Sequence, residues 1–303
     1  MGKNMHAIKK IAVIFTVAVA SLWGQGASTR GAFPLLGVDA RGLSMGGAFT
    51  ALVQGASSAY WNPAALAFLK GYDFTGMYAH FGDLPLKGGF AAVAQEDKGY
   101  GAGALSWEFI GIKAYDETVK WNENCISYAF AREFSPGIAA GGRLKFLFNR
   151  TDIEEADVSG GSADVAFLGV MGAFRFGMVL RDLISRLKWG TGTSESLPPS
   201  YQMGASYSFL ESRINTELDI SGESSMPLAD IRLGVEVWPV PDIFALRGGL
   251  IHKMSEYDRR NIFSAGFGVR LTQGLGHYNI GYAFVADKEV FGLSHRISVG
   301  MSW

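Results

Sequence analysis

Cysteine occurs once in 303 residues, at Cys125, so the chain has no intrachain disulfide framework. Beyond residue 20 there is no apolar run of the ~18 residues that a helical membrane span requires, which excludes helical spans. Charge is scarce as well: 18% of residues are Asp, Glu, Lys or Arg, and the net charge of −1 offers nucleic acid no basic surface. No His/Cys cluster has metal-ligand spacing, so neither a metal nor a cofactor is expected. His80, His252, His277 and His295 have no Ser or carboxylate at a diagnostic spacing, so no catalytic residues and no enzyme are expected. The run Met45-Gly46-Gly47-Ala48 lacks the Lys and the strand–helix context of a phosphate-cradling loop. Asp152, Glu154, Glu155 and Asp157 read as a solvated loop.

What the chain does hold is 48% hydrophobic residues and 40 glycines without a collagen-like period. That balance fits apolar surface turned toward lipid. At the N-terminus, Lys3, Lys9 and Lys10 precede a short apolar stretch over 11–20, and small residues follow. Residues 1–26 are therefore expected to be a secretory signal peptide. At the other end Ile297, Val299, Met301 and Trp303 alternate with Arg296, Ser298, Gly300 and Ser302. A terminal strand of period two ending on an aromatic is the pattern that closes an outer-membrane barrel, and the one its assembly machinery would bind.

From Tyr72 on, segments of about ten residues carry opposite faces, the length that crosses an outer membrane as tilted strand. Ile214, Thr216, Leu218 and Ile220 oppose Arg213, Asn215, Glu217 and Asp219; Ile231, Leu233, Val235 and Val237 oppose Arg232, Gly234 and Glu236. Phe174 and Phe176 oppose Arg175, and Leu144, Phe146 and Phe148 oppose Arg143 and Lys145. About fourteen such segments begin near Tyr72, Leu86, Gly99, Trp121, Gly137, Ser162, Ala173, Ser200, Arg213, Ala229, Ile243, Asn261, Gly276 and Leu293. The expected fold is all-β: a transmembrane antiparallel β-barrel over 72–303, with lipid outside and water inside.

A basic side chain at the bilayer midplane costs about 2–4 kcal/mol, so charges belong inside. The expected lumen-facing set is Arg143, Lys145, Arg175, Arg181, Arg213, Glu217, Asp219, Arg232, Glu236, Arg247, Arg270 and Arg296. Their mixed signs predict pairing across the lumen. Connections after even-numbered segments are tight, and those after odd-numbered ones are mostly longer, as at 111–120, 150–161, 183–199 and 252–260. In outer-membrane barrels the short turns face the periplasm, which places both ends of the barrel there.

Residues 27–71 lack dyad alternation. Residues 45–53 are expected as a short helix, and Asn62 caps a second with Pro63 at its first position. So short a stretch cannot fold alone, and a wall of about fourteen strands is wider than its own side chains fill. The expectation is a plug in the lumen, its glycines letting backbone pass close to the wall.

Residues 40–51, ARGLSMGGAFTA, and 59–66, AYWNPAAL, resemble the N-terminal signature of the PorV/PorQ family, a branch of the FadL-like outer-membrane barrels. Residues 198–207, PPSYQMGASY, are similar to a mid-barrel segment of the same proteins. Gln54-Gly55-Ala56-Ser57 lacks the acidic residues of the typical signature. The resemblance implies fourteen strands and an N-terminal hatch. It also implies passage of small hydrophobic molecules, with Phe49, Trp61, Asn62, Pro63, Leu66 and Phe68 as the candidate ligand-lining residues of the plug. The PorV branch implies a second role, a type IX secretion component that handles exported protein. A closed structural barrel is the third reading.

Overall fold

The computed structural model describes residues 33, 36–82, 84, 86–113, 120–224, 226–254, 259–274, 276–287 and 292–303. The expected signal peptide, 1–26, lies outside them. Strands come in chain order as β1 (Tyr72–Phe81), β2 (Leu86–Gln95), β3 (Ala102–Lys113), β4 (Lys120–Ser135) and β5 (Ile138–Thr151). Next are β6 (Val158–Met171), β7 (Phe174–Trp189), the two-residue β8 (Ser194–Glu195), β9 (Ser200–Phe209) and β10 (Ile214–Glu223). The last are β11 (Met226–Val240), β12 (Phe244–Lys253), β13 (Asn261–Gln273), β14 (Gly276–Asp287) and β15 (Gly292–Ser302). β8 pairs only with β7; the other fourteen form a ring of antiparallel neighbours that β1 and β15 close, from Asp73↔Ser302 to Phe81↔Ser294. Closure removes the two edges that would otherwise present unpaired amides to lipid.

The faces follow the dyad pattern. Leu144, Phe146 and Leu218 are 66%, 55% and 50% exposed, whereas Glu217, Asp219 and Glu236 are 1%, 0% and 0%. A water-soluble globule would bury the first set and expose the second. At the seam, Tyr72 and Trp303 exchange backbone hydrogen bonds of 2.8 and 3.0 Å and stack with ring centroids 5.7 Å apart. Ile297 and Val299 stand exposed on the outer face beside them. Leu218→Lys, in the middle of β10, is expected to cost about 2–4 kcal/mol of folding stability in lipid vesicles. A neutral result in reversible urea unfolding would mean that this face does not meet hydrocarbon.

Two features of the wall depart from expectation. β6 starts at Val158 and β7 runs to Trp189, so the expected long connections 150–161 and 183–199 shorten. Val158, Leu187 and Trp189 extend the ladder because they pack on a cluster with Phe33, Cys125, Leu147 and Leu197. The Asn149 side chain also accepts the Val158 N–H at 2.6 Å. With these extensions, and a short 224–225 connection, the two rims differ less in loop length than the sequence indicates. Within β7 the ladder skips at residues 181–183, where Asp182 takes φ 57° and both Arg181 and Asp182 are buried. This bulge puts two consecutive polar side chains on the inner face.

Candidate functional site

Residues 36–71 lie inside the ring. Their hydrogen-bond partners sit on β1, β6, β7, β9, β10, β11, β13 and β15, on opposite sides of the cylinder, and only an interior position reaches them all. The segment starts with α1 (Ala40–Ser44), capped by the Asp39 side chain accepting the Arg41 N–H. It continues through α2 (Ser58–Trp61) to a 3-10 helix (Pro63–Phe68), where the Asn62 side chain accepts the Ala64 N–H at 3.0 Å.

The helix expected over residues 45–53 is absent. Gly46 and Gly47 both take positive φ, 68° and 70°, which stops α1 and turns the chain along β12. The wall yields at the same place: a side chain on Gly249 would collide with the Met45 and Gly46 backbone. Instead of forming helical bonds, the N–H groups of residues 49–52 point at two carboxylates. Asp219 accepts from Phe49 N and Thr50 N at 3.3 Å each and from Thr50 Oγ1 at 2.6 Å. Glu217 accepts from Ala51 N at 2.6 Å and Leu52 N at 2.8 Å. Four consecutive backbone donors with no helical partner are thus satisfied by two residues of one strand.

A second anchor is Glu236. It accepts Arg41 Nε and Nη2 at 2.9 and 2.8 Å, Arg247 Nε at 2.7 Å, Asn215 Nδ2 at 3.1 Å and Trp238 Nε1 at 3.0 Å. Burial alone would lower the Arg41 pKa, but the Glu236 carboxylate outweighs it and holds the guanidinium above its ordinary value. Gln202 Nε2 donates to the Gly47 carbonyl, Ser264 Oγ to that of Ser44, and Arg181 Nη2 to that of Trp61.

The remaining inward charges pair with each other. Arg143 bonds Glu108 and Ser127; Lys145 meets Asp164 and Asp182, both at 2.7 Å; Arg232 meets Asp230 at 2.7 Å. Arg296 lies over the Phe81 ring. Arg175, Arg247 and Arg270 also turn inward, and they line a cavity. Arg213 is the exception. It sits exposed in the turn before β10, because the strand begins one residue later, at Ile214.

Of the six candidate lining residues, Phe49, Trp61 and Leu66 are packed core, with Phe49 and Trp61 edge-to-face at 6.0 Å. Asn62 and Pro63 are buried as the cap of the 3-10 helix. Only Phe68 faces the largest of the three described cavities. Aromatic side chains here close the packing between segment and wall rather than a ligand pocket. The sequence does not single out as segment contacts the residues that seat the segment: Arg41, Asp73, Gln202, Ser264 and Ser298. All but Arg41 carry the polar phase of the dyad pattern, which was the available signal.

The cavity beneath the segment has a volume of 440 Å³ and opens at the rim that carries Lys70, His277 and Ser302. A 210 Å³ cavity adjoins it, sharing Arg41, Gln54, Arg175, Trp238 and Arg270. Toward the opposite rim a 50 Å³ cavity sets Phe33, Ile110, Leu147 and Leu197 against the charged side chains of Glu108, Glu123, Arg143, Lys145, Arg181 and Asp182. Among the described residues no group of three His, Cys, Asp or Glu is placed to hold a metal ion.

No protein-family model matches the sequence, and no curated protein is similar to it in sequence. Solved structures do match the fold. The toluene transporter TodX of Pseudomonas putida superposes with TM-score 0.64 at 11% identity, over 89% of this chain and 98% of that one. The toluene transporter TbuX of Ralstonia pickettii gives 0.61 at 11%, again over 89% and 98%. The monoaromatic hydrocarbon channel CymD gives 0.60 at 13% over the same shares. The fold is the one these transporters share: a closed, antiparallel, fourteen-stranded cylinder.

Proposed function

We propose that the protein is an outer-membrane channel for small hydrophobic molecules, with residues 36–71 as its plug and the rim of Tyr72 and Trp303 in the periplasm. The observation that carries this reading is a lipid-facing barrel whose lumen is filled by a separately anchored chain segment. A wall built only for structure has no use for a removable filling. The fold likeness to three hydrocarbon transporters supports the substrate class. Passage then requires the plug to shift, and the carboxylates that hold it are the points at which it lets go.

The resemblance of residues 40–51 and 59–66 to the PorV/PorQ signature supports placing the chain on that branch. In this reading the motif is an anchoring motif: Arg41 meets Glu236, Gly46 and Gly47 follow the wall, and Asn62 bridges Thr50 and Phe167. Uptake of radiolabelled toluene and oleate by cells expressing the full chain tests the channel. The expected rate is several-fold above that of cells with the empty vector. Equal rates for both probes would overturn the small-molecule reading and leave protein export or a structural role.

A further inference from the structure

The 440 Å³ cavity is not apolar. Five cationic side chains, Arg41, Lys70, Arg175, Arg247 and Arg270, line it against two carboxylates, Asp39 and Asp73. Those two carboxylates are used elsewhere. Asp39 accepts the Arg41 N–H and the Ser298 hydroxyl, and Asp73 accepts the Ala56 N–H at 2.7 Å. Glu236 neutralises Arg41 and Arg247 together with a single charge. Arg270 donates to the neutral Asn279 side chain, and its one carboxylate contact among the described residues is the 87% exposed Asp242 at 3.4 Å. Arg175 makes no hydrogen bond or ion pair among the described residues, although it is half-buried and within electrostatic reach of both Arg41 and Glu217.

Every other buried cation of the lumen has a hydrogen-bonding partner among the described residues, Arg296 through the Ser294 hydroxyl. Convergent guanidinium groups in a confined space repel one another, and a planar oxyanion relieves them through paired N–H···O bonds. The volume falls within the usual range of small-ligand sites. We propose that this vestibule binds a compact soluble oxyanion carrying carboxylate or phosphate groups, with Arg175 and Arg270 as its principal contacts and Arg41 and Arg247 behind them. The ligand is a soluble anion and not a lipid headgroup, because these side chains project to the lumen, opposite the lipid-facing belt. The site takes the opposite class of ligand from the passage proposed above, and anion binding by the barrel with its plug seated does not require that passage.

Isothermal titration of the folded, full-length barrel in an uncharged detergent tests it, with inorganic phosphate and citrate as probes at constant ionic strength. The expected result is saturable binding of one anion per chain, weakened about tenfold by Arg175→Gln and abolished by Arg175→Gln with Arg270→Gln. Lys188→Gln, on the exposed face toward the opposite rim, should bind as the parent does. Arg175 holds nothing in place, so its loss leaves the fold intact, which heat-modifiable gel mobility verifies. Absence of saturable heat with both probes, or equal affinity in the folded Arg175→Gln variant, would overturn the proposal. Displacement of the probe by chloride at equal concentration would overturn it too.

Discussion

Alanine at both Glu217 and Asp219 is expected to raise the conductance of the barrel in planar bilayers sharply while leaving its wall assembled. Among the described residues these two side chains are the only acceptors for the N–H groups of Phe49, Thr50, Ala51 and Leu52. Each buried donor left unsatisfied costs about 1–3 kcal/mol. Removing the carboxylates also relieves their burial and mutual repulsion, which offsets part of that loss. A net loss of about 4 kcal/mol of anchoring still shifts a seated–released equilibrium roughly 10³-fold toward release. The fourteen-strand ladder depends on none of these bonds, so folding and heat-modifiable mobility should persist. Limited proteolysis supplies a second reading: residues 45–57, protected in the parent, become cleavable in the variant. Glu217→Gln with Asp219→Asn should act in the same direction more weakly, since each amide keeps one acceptor oxygen but brings an NH2 toward the same donors. Unchanged conductance and unchanged protection in the double alanine variant would show that the segment is held by packing alone.

The contrast between wall and segment explains how much the sequence discloses. A strand in a lipid-facing barrel sees oil on one side and water or polar chain on the other, so every second residue reports its surroundings. The expected starts near Tyr72, Leu86, Ser200, Asn261 and Gly276 coincide with the observed ones for this reason. Ends are less legible, because β6 and β7 are lengthened by packing on Phe33 and Leu197, contacts that no local period encodes. The inner segment is surrounded on all sides, so burial does not alternate along it and no period survives. Its conformation is decided by partners far away in sequence: Ala51 meets Glu217 across 166 residues and Arg41 meets Glu236 across 195. That is why residues 45–53 look helical in isolation and are not, and why Phe49, Trp61 and Leu66 look like a ligand surface and are core. The cavity at the rim was legible only as scattered arginines. What brings Arg175 and Arg270 beside Arg41 is ring closure, which sets β7 and β13 facing the same enclosed space.

Glu236→Ala is expected to cost the folded barrel about 3–5 kcal/mol, because it strands two guanidinium groups rather than one. Arg41 and Arg247 both take their carboxylate contact from this residue, and the polar side chains of Asn215 and Trp238 lose an acceptor with it. A double-mutant cycle separates the terms. Arg41→Ala alone removes a bidentate pair and the cation over the Phe49 ring at 5.3 Å, but leaves Glu236 satisfied by Arg247. Combined with Glu236→Ala it should be less damaging than the two single losses added, since one stranded charge disappears. Full additivity in urea unfolding from vesicles would mean that Arg41 and Glu236 do not act as a pair. The same substitution discriminates the proposed oxyanion site from a merely structural arginine cluster. Removing Glu236 takes away the one charge that neutralises Arg41 and Arg247 at the cavity wall, so an external oxyanion should bind there more tightly. Phosphate should then restore part of the lost stability in Glu236→Ala while changing that of the parent less. Addition of Arg175→Gln should raise the phosphate concentration needed for the rescue about tenfold, and Arg175→Gln with Arg270→Gln should abolish it.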